Sequence, residues 1–242
     1  MESILKLQGI NLEIDASQIL KNITCNIPHK KITVVIGPSG AGKSSLLKSI
    51  TRLLPATGPI EYGGQKMSRD TDLSKFRKEV IYVSQVPVVF DGTVAENINW
   101  GREIWQLDLV DPVEYLKMVG LDEISPDRNA NDLSVGQQQR LHLARSLALQ
   151  PKVLLLDEPA SGLDAISKEV FENLIKELRD IQEDLSIVMI THDLEQAKRL
   201  AEYAILLDKG EMKLEADGEE FFKEVQNMSE AEMLEKLLEG SQ

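Results

Sequence analysis

One stretch restricts the fold more than any other. Gly37-Pro38-Ser39-Gly40-Ala41-Gly42-Lys43-Ser44 matches the pattern GxxxxGK[ST], directly after the β-branched run Ile32 to Ile36 and directly before a helical face of Leu46, Leu47, Ile50, Leu53 and Leu54. A strand feeding a glycine-rich loop and then a helix lets successive backbone N–H groups turn inward on one anion, while the helix N-terminus adds its partial positive charge. In that arrangement Lys43 reaches the β- and γ-phosphates of a nucleotide and the Ser44 hydroxyl holds Mg²⁺, with the rest of the loop and Ser45 lining the phosphates. Pro55 is expected to stop the helix.

The surrounding pattern supplies a sheet for this loop. Val80 to Val83, Val153 to Asp157 and Ile187 to Thr191 are short runs apolar on both faces, as inner strands of a parallel sheet must be. Amphipathic segments alternate with them, and Val170, Leu174, Ile175 and Leu178 are expected to form the helical face after the third buried strand. Ile4, Leu7, Ile10, Leu12 and Ile14 among polar residues predict antiparallel strands at a sheet edge. From Pro87 to Gln150 the apolar spacing is helical, around Val94 to Ile98, Val113 to Val119 and Leu141 to Leu149. The expectation is one domain over 1–242, with a nucleotide-binding core from 1–86 and 151–210, an inserted helical subdomain over 87–150 and an acidic tail over 211–242. From Glu211 onward ten acidic residues stand against Lys213, Lys223 and Lys236, a net of −7, and Ser229 with Glu232 makes a capping box for a final helix ending near Gly240.

A second pair of groups completes the chemistry. Val153-Leu154-Leu155-Leu156-Asp157-Glu158 delivers two carboxylates at the C-terminal end of a buried strand, where ligands bind in open parallel sheets. Asp157 is placed to hold Mg²⁺, and Glu158, pointing elsewhere, to polarise an attacking water. The formal charge of −13 argues against nucleic acid as a partner. The longest apolar runs fall far short of the roughly 20 residues needed to cross a bilayer. Met1-Glu2-Ser3-Ile4-Leu5-Lys6 has no export pattern, so the cytoplasm is the expected compartment, and lone Cys25 forms no internal disulfide.

The order of the motifs is similar to that of a known family. Leu133-Ser134-Val135-Gly136-Gln137, then Gln138-Gln139-Arg140, the Asp157-Glu158 strand, Ser161-Gly162-Leu163-Asp164 and His192 together resemble the ATP-binding cassette (ABC) ATPases, with Gln85 at the family's Q-loop. The resemblance runs from about Ile4 to Gly210. It implies an α/β fold: a P-loop NTPase core with a mainly parallel sheet, an N-terminal antiparallel β edge and an inserted α-helical subdomain. It also implies ATP and Mg²⁺ as ligands, and a homodimer packed head to tail on ATP. Ser134, Gly136 and Gln137 of one copy would then cover the ATP held by the other, with Asp164 at the dimer seam. His192 would contact the γ-phosphate, and Gln85 the Mg²⁺ or the water. On spacing alone His192 reads equally as a structural histidine.

Two positions depart from the family pattern. Val135 replaces the first glycine of the signature LSGGQ, and Ile14 stands where many cassettes stack an aromatic residue on adenine. A transport role implies a separately encoded transmembrane permease, with the chain peripheral on the inner face of the cell membrane. Val88, Val89, Phe90, Trp100 and Trp105 are the candidates for the groove that receives it, plain core packing being the alternative. Phe90 to Ile98 is similar to exporter-type cassettes and to those of an iron-export type, whereas Gln137 to Leu141 is similar to phosphate importers. Metal export is the first expectation. A soluble cassette such as an iron–sulfur assembly scaffold ATPase is the competing class. The 47 residues between Gln85 and Leu133 exclude the coiled-coil insertion of DNA-repair ATPases.

Overall fold

The glycine loop can approach a phosphate only if the strand before it is held rigidly, and the sheet does this by burying that strand on both faces. The computed structural model describes residues 2–68, 70–182 and 184–227. Along it, β1 (Ser3–Ile14) and β2 (Ser17–Pro28) form a hairpin, and β3 (Ile32–Ile36) leads through the glycine loop into α1 (Lys43–Ile50). β4 (Ile60–Tyr62), β5 (Gln65–Lys66), α2 (Leu73–Glu79) and β6 (Val80–Val83) follow. Then come α3 (Val94–Ile104), α4 (Pro112–Met118), a 3-10 turn at Ala130–Asp132 and α5 (Val135–Leu147), the helices expected from the apolar spacing. The described chain ends with β7 (Val153–Asp157), α6 (Ala165–Ile181), β8 (Ser186–Ile190), α7 (Leu194–Leu200), β9 (Tyr203–Asp208), β10 (Glu211–Asp217) and α8 (Gly218–Asn227).

Six strands make one sheet in the order β10-β9-β3-β8-β7-β6, parallel except for β10 at the edge. Its two faces serve different layers, and strict side-chain alternation sorts them. Val34, Ile36, Leu154, Leu156, Ile187 and Met189 pack against the helices α3 to α8. Val35, Val153, Leu155, Val188 and Ile190 pack on the opposite side, against Leu46, Leu47 and Ile50 of α1 and the apolar face of a second sheet.

That second sheet corrects the expectation for the N-terminus. β1 and β2 are not an edge of the parallel sheet; with β4 and β5 they form a separate antiparallel sheet, β2-β1-β4-β5. Its inward residues, among them Leu5, Leu7, Ile10, Leu12, Leu20 and Ile23, are essentially fully buried, and they find their cover on α1 and the large sheet rather than beside a parallel strand. The antiparallel edge strand is β10, so residues 211–217, expected within an acidic tail, belong to the sheet. Phe221 and Val225 of α8 are buried behind it. The Ser229 and Glu232 capping box, and the helix expected to end near Gly240, lie outside the described residues.

Two helical faces also shift. α1 ends at Ile50, before Leu53, which is exposed. Arg52 turns the chain there with φ +55°, and its guanidinium donates to the carbonyls of Ala56 and Gly58, so the stop comes ahead of Pro55. In α6 the buried face is Phe171, Leu174, Ile175 and Leu178, and Val170 is exposed. Glu172, its side chain only 5% exposed, receives both Nε and Nη2 of Arg199 at 2.8 Å and thereby fixes α7 on α6.

Cys25 faces into the layer between the sheets, where burial, with Glu215 adding, pushes its thiol up to about 12. The thiolate is the reactive form. At pH 8 a thiol reagent is expected to leave the native protein unmodified and to react at once after denaturation; prompt labelling of native protein contradicts this packing.

Candidate functional site

The phosphate loop leaves β3 at Ile36 and is braced from behind. Gly37, at φ +150°, passes so close to Leu207 that an added Cβ would lie 2.0 Å from its carbonyl oxygen. Gly42, at φ +97°, precedes α1, and a Cβ there would meet the Leu20 side chain at 2.9 Å and the Ile19 carbonyl at 3.1 Å. β2 and β9 therefore leave no room for any residue but glycine at these two turns. Lys43, the first residue of α1, is 6% exposed, and its ammonium donates to the carbonyls of Gly37 and Pro38 at 2.8 Å each. Burial lowers its pKa, and the carboxylates of Glu158 and Asp157 work in the opposite direction.

Asp157 and Ser44 meet although 113 positions separate them: the Ser44 hydroxyl donates to Asp157 Oδ1 at 2.8 Å. The reason lies in the sheet, since β3 and β7 flank β8 and end on the same side. Asp157 is 3% exposed and its second oxygen, Oδ2, accepts from the Tyr82 hydroxyl at 2.7 Å. Tyr82 is a residue the sequence reading missed. The signal was the alternation of β6, which puts Val80 and Tyr82 on the face shared by Val153, Leu155 and Asp157. Burial, the hydrogen bond and the neighbouring charge raise the Tyr82 pKa, so the phenol stays a donor.

These groups fit Mg²⁺. A hydroxyl and one carboxylate beside a phosphate cradle are the hard oxygen donors this ion takes, its remaining positions going to phosphate and water. Among the described residues no group of three or more His, Cys, Asp or Glu gathers as a metal cage, and Mg²⁺ on a nucleotide needs none.

Glu158 follows at the strand end with φ +46°, a left-handed backbone that sends its carboxylate away from Asp157. Gln85 Nε2 donates to Glu158 Oε2 and to Ser161 Oγ, each at 3.2 Å, and His192 Nδ1 lies 3.4 Å from the same Oε2. Two segments remote in sequence thus converge on one carboxylate oxygen of a third. The cavity there is lined by Glu158, Ser161, Lys168, His192, Asp193 and Gln196. Lys168 of α6 pairs with Asp193 at 3.8 Å, and Asp193 caps α7 by accepting from Gln196 N–H at 3.0 Å.

The remaining candidates lie apart from this cluster. Ser134 and Gln137 form a reciprocal capping box at the start of α5, Ser134 N–H donating to Gln137 Oε1 at 3.0 Å. Val135 is 71% exposed, and a Cβ on Gly136 would touch Leu163 at 3.3 Å. Asp164 caps α6, accepting from the Ser167 N–H and hydroxyl. Ser45, on the first turn of α1, gives its carbonyl to the Ser49 hydroxyl. Ile14 closes β1 at the hairpin, paired with Ser17 and 39% exposed.

The segment after Gln85 is clamped from beneath by α5 and α3. Gln139 Nε2 donates to the Gln85 carbonyl at 3.4 Å and Arg145 Nη2 to the Val88 carbonyl at 2.6 Å. Asn97 bonds both N–H and C=O of Phe90. Phe90 is sandwiched, Arg145 lying 4.4 Å from its ring centroid and Trp100 stacking at 4.5 Å. Burial lowers the Arg145 guanidinium to about 10, still well above neutral pH. Val89 is partly buried against the core, while Val88 and Val86 are the more outward positions, 47% and 72% exposed. Trp105 takes Lys78 over its ring at 5.5 Å.

Comparison with known proteins agrees with this geometry. A family model described as ABC transporter matches residues 20–161, more than half of the chain. ABC transporter I family member 17 of Arabidopsis thaliana is 40% identical over 201 residues, covering 82% of this chain and 76% of that protein. The phosphate import ATP-binding protein PstB of Campylobacter jejuni is 39% identical over 233 residues, covering 91% and 93%. Among solved structures, cbiO1 of Clostridium perfringens, part of the ABC transporter complex cbiONQ, superposes with a TM-score of 0.83 at 25% identity over 96% of each chain. A bacterial Atm1-family ABC exporter with ATP bound shares the fold, with a TM-score of 0.81 at 22% identity over 95% of this chain and 41% of that one. No helix among the described residues is long and apolar enough to cross a membrane. Phosphate loop, strand-end carboxylates and sequence kinship lead to the same place: this chain belongs to the ABC transporter family, as an ATP-binding subunit that hydrolyses ATP for transport.

Proposed function

We propose that the chain hydrolyses Mg²⁺·ATP with Glu158 as the general base, works as a head-to-tail homodimer, and drives a separately encoded transmembrane permease from the inner face of the membrane. The observation that carries the reading is the convergence of Gln85 and His192 on Glu158 Oε2. A water accepted there is activated by the carboxylate. His192 and the Lys43 ammonium are the groups that meet charge developing on the γ-phosphate. Ser44 and Asp157 hold the metal. Bound there, Mg²⁺ would supply neutralisation of the phosphate charge.

The dimer follows from what one chain lacks. Ser134 and Gln137 are spent on capping α5, which leaves the free N–H groups of that helix start, and the exposed Val135, facing outward. A second copy's ATP is the complementary partner, and Ile14 supplies apolar contact for adenine. The permease meets the segment 85–90, since a push on Val86 or Val88 is felt at Gln85 and so at Glu158.

The cargo has two readings. Metal export rests on the segment Phe90 to Ile98. Phosphate import rests on Gln137 to Leu141 and on the likeness to PstB across nearly its whole length. Uptake of radiolabelled phosphate, against efflux of preloaded iron, by cells with and without the chain and its permease separates them.

Three outcomes are expected. Glu158→Gln keeps ATP binding and lowers turnover on the order of 10²–10⁴-fold, because the base goes while the metal ligands stay; turnover equal to wild type sinks the assignment of the base. By light scattering, Glu158→Gln with ATP runs as a dimer and with ADP as a monomer; a monomer at high concentration in both states counts against head-to-tail packing. Val88→Glu spares basal hydrolysis and abolishes co-purification with the permease from detergent, and undiminished recovery moves the docking surface elsewhere.

A further inference from the structure

We propose that Tyr82 is a positioning residue of the magnesium site: its hydroxyl anchors one oxygen of the Asp157 carboxylate so that the other is presented to Ser44 and the metal. The inference rests on the assignment of Ser44 and Asp157 to Mg²⁺ made above, and goes beyond it to the residue that orients them.

The geometry is specific. Asp157 is 3% exposed, and among the described residues each carboxylate oxygen has one side-chain donor: Ser44 at 2.8 Å on Oδ1, Tyr82 at 2.7 Å on Oδ2. The terminal torsion of an aspartate is broad and roughly two-fold, and without an anchor the two oxygens exchange freely. One donor fixed from the sheet removes that freedom. Tyr82 is suited to the task because it stands on the neighbouring strand, its Cα paired in register with Leu155, two residues before Asp157 on the same face. Its ring packs against the buried layer between the sheets and lies under Lys48 Nζ at 5.9 Å, so the hydroxyl is delivered from a held ring.

Removing such an anchor has two effects. The carboxylate oxygen left in the interior has no donor, and the carboxylate turns to find one. Both fall on the metal rather than on the nucleotide. In the reading above the phosphates go to the loop N–H groups and Lys43, and among the described residues Tyr82 is bonded to Asp157 and lies under Lys48 instead. Partners that orient a metal ligand typically account for 10–100-fold in metal affinity. A tyrosine that merely fills space has no such selectivity, since its loss weakens nucleotide binding with and without metal alike.

The experiment uses the full chain as wild type, Tyr82→Phe and Asp157→Asn. Tyr82→Phe deletes only the hydroxyl and keeps the ring beneath Lys48; its melting temperature in EDTA reports that the fold is retained. Mn²⁺ bound to the ADP complex is counted by electron paramagnetic resonance, and ADP affinity in EDTA is measured by calorimetry. The expected result for Tyr82→Phe is about a tenfold weaker Mn²⁺ affinity, ADP affinity in EDTA within about twofold of wild type, and a matching rise in the Mg²⁺ concentration that half-saturates hydrolysis. Unchanged Mn²⁺ affinity in Tyr82→Phe beside a clear defect in Asp157→Asn overturns the proposal alone. Unchanged Mn²⁺ affinity in Asp157→Asn overturns the metal assignment and the proposal with it. Equal loss of ADP affinity with and without metal makes Tyr82 a packing residue and overturns the proposal.

Discussion

Parallel pairing of β3, β8 and β7 is the constraint from which the site follows. The three strands bury all of their residues and end on one side of the sheet, so whatever follows each of them is brought to a common edge. The glycine loop and Lys43 follow β3, Glu158 follows β7 and His192 follows β8. Apolar alternation then decides direction: Asp157 shares its face with Val153 and Leu155, the face covered by α1, and so points at Ser44. A slip of one residue in β7 would turn it toward the helices on the other side.

Charge shapes the same edge. Lys43 is held in the interior by two carbonyls of its own loop; burial lowers its pKa, and Glu158 and Asp157 counter only part of that penalty. Two carboxylates and one ammonium leave this corner short of positive charge, a deficit that a divalent cation would correct and that nucleotide phosphates alone would worsen. The left-handed backbone at Glu158 is part of this arrangement. By parting the two carboxylates it suits Asp157 to the proposed metal and Glu158 to the proposed water.

α5 ties the chemistry to the outer surface. Its first residue lies beside the capping box of Ser134 and Gln137, and further along it Gln139 and Arg145 hold the carbonyls of Gln85 and Val88. A buried guanidinium without a carboxylate among its described contacts is an unusual choice. Here it is satisfied by carbonyl and amide oxygens and by the face of Phe90. The same rod thus touches the segment proposed to receive the permease and the loop proposed to cover a second copy's ATP.

Much of this was legible in the residues. The phosphate loop, the strand-end carboxylates and the strands β3 and β7 are local patterns and lie where the sequence places them, because apolar period and glycine position are set by neighbours along the chain; β8 starts and ends one residue earlier than expected, and β6, expected as an inner strand, closes the sheet at its edge with Ile81 and Tyr82 half-buried. The ends of helices were less legible: Arg52 stops α1 through carbonyls brought to it by the folded turn, and Phe171 rather than Val170 faces inward in α6 because packing chose the rotation. The second sheet was read as an edge because antiparallel alternation tells that one face is buried but not against what. Tyr82 and Asp157, and equally Gln85, Glu158 and His192, are joined by strand order, and a parallel sheet sets that order through long crossovers that leave no trace in local sequence. The sequence by itself determined the chemical groups and the elements that carry them; which groups touch was decided only when β7 came to lie between β8 and β6.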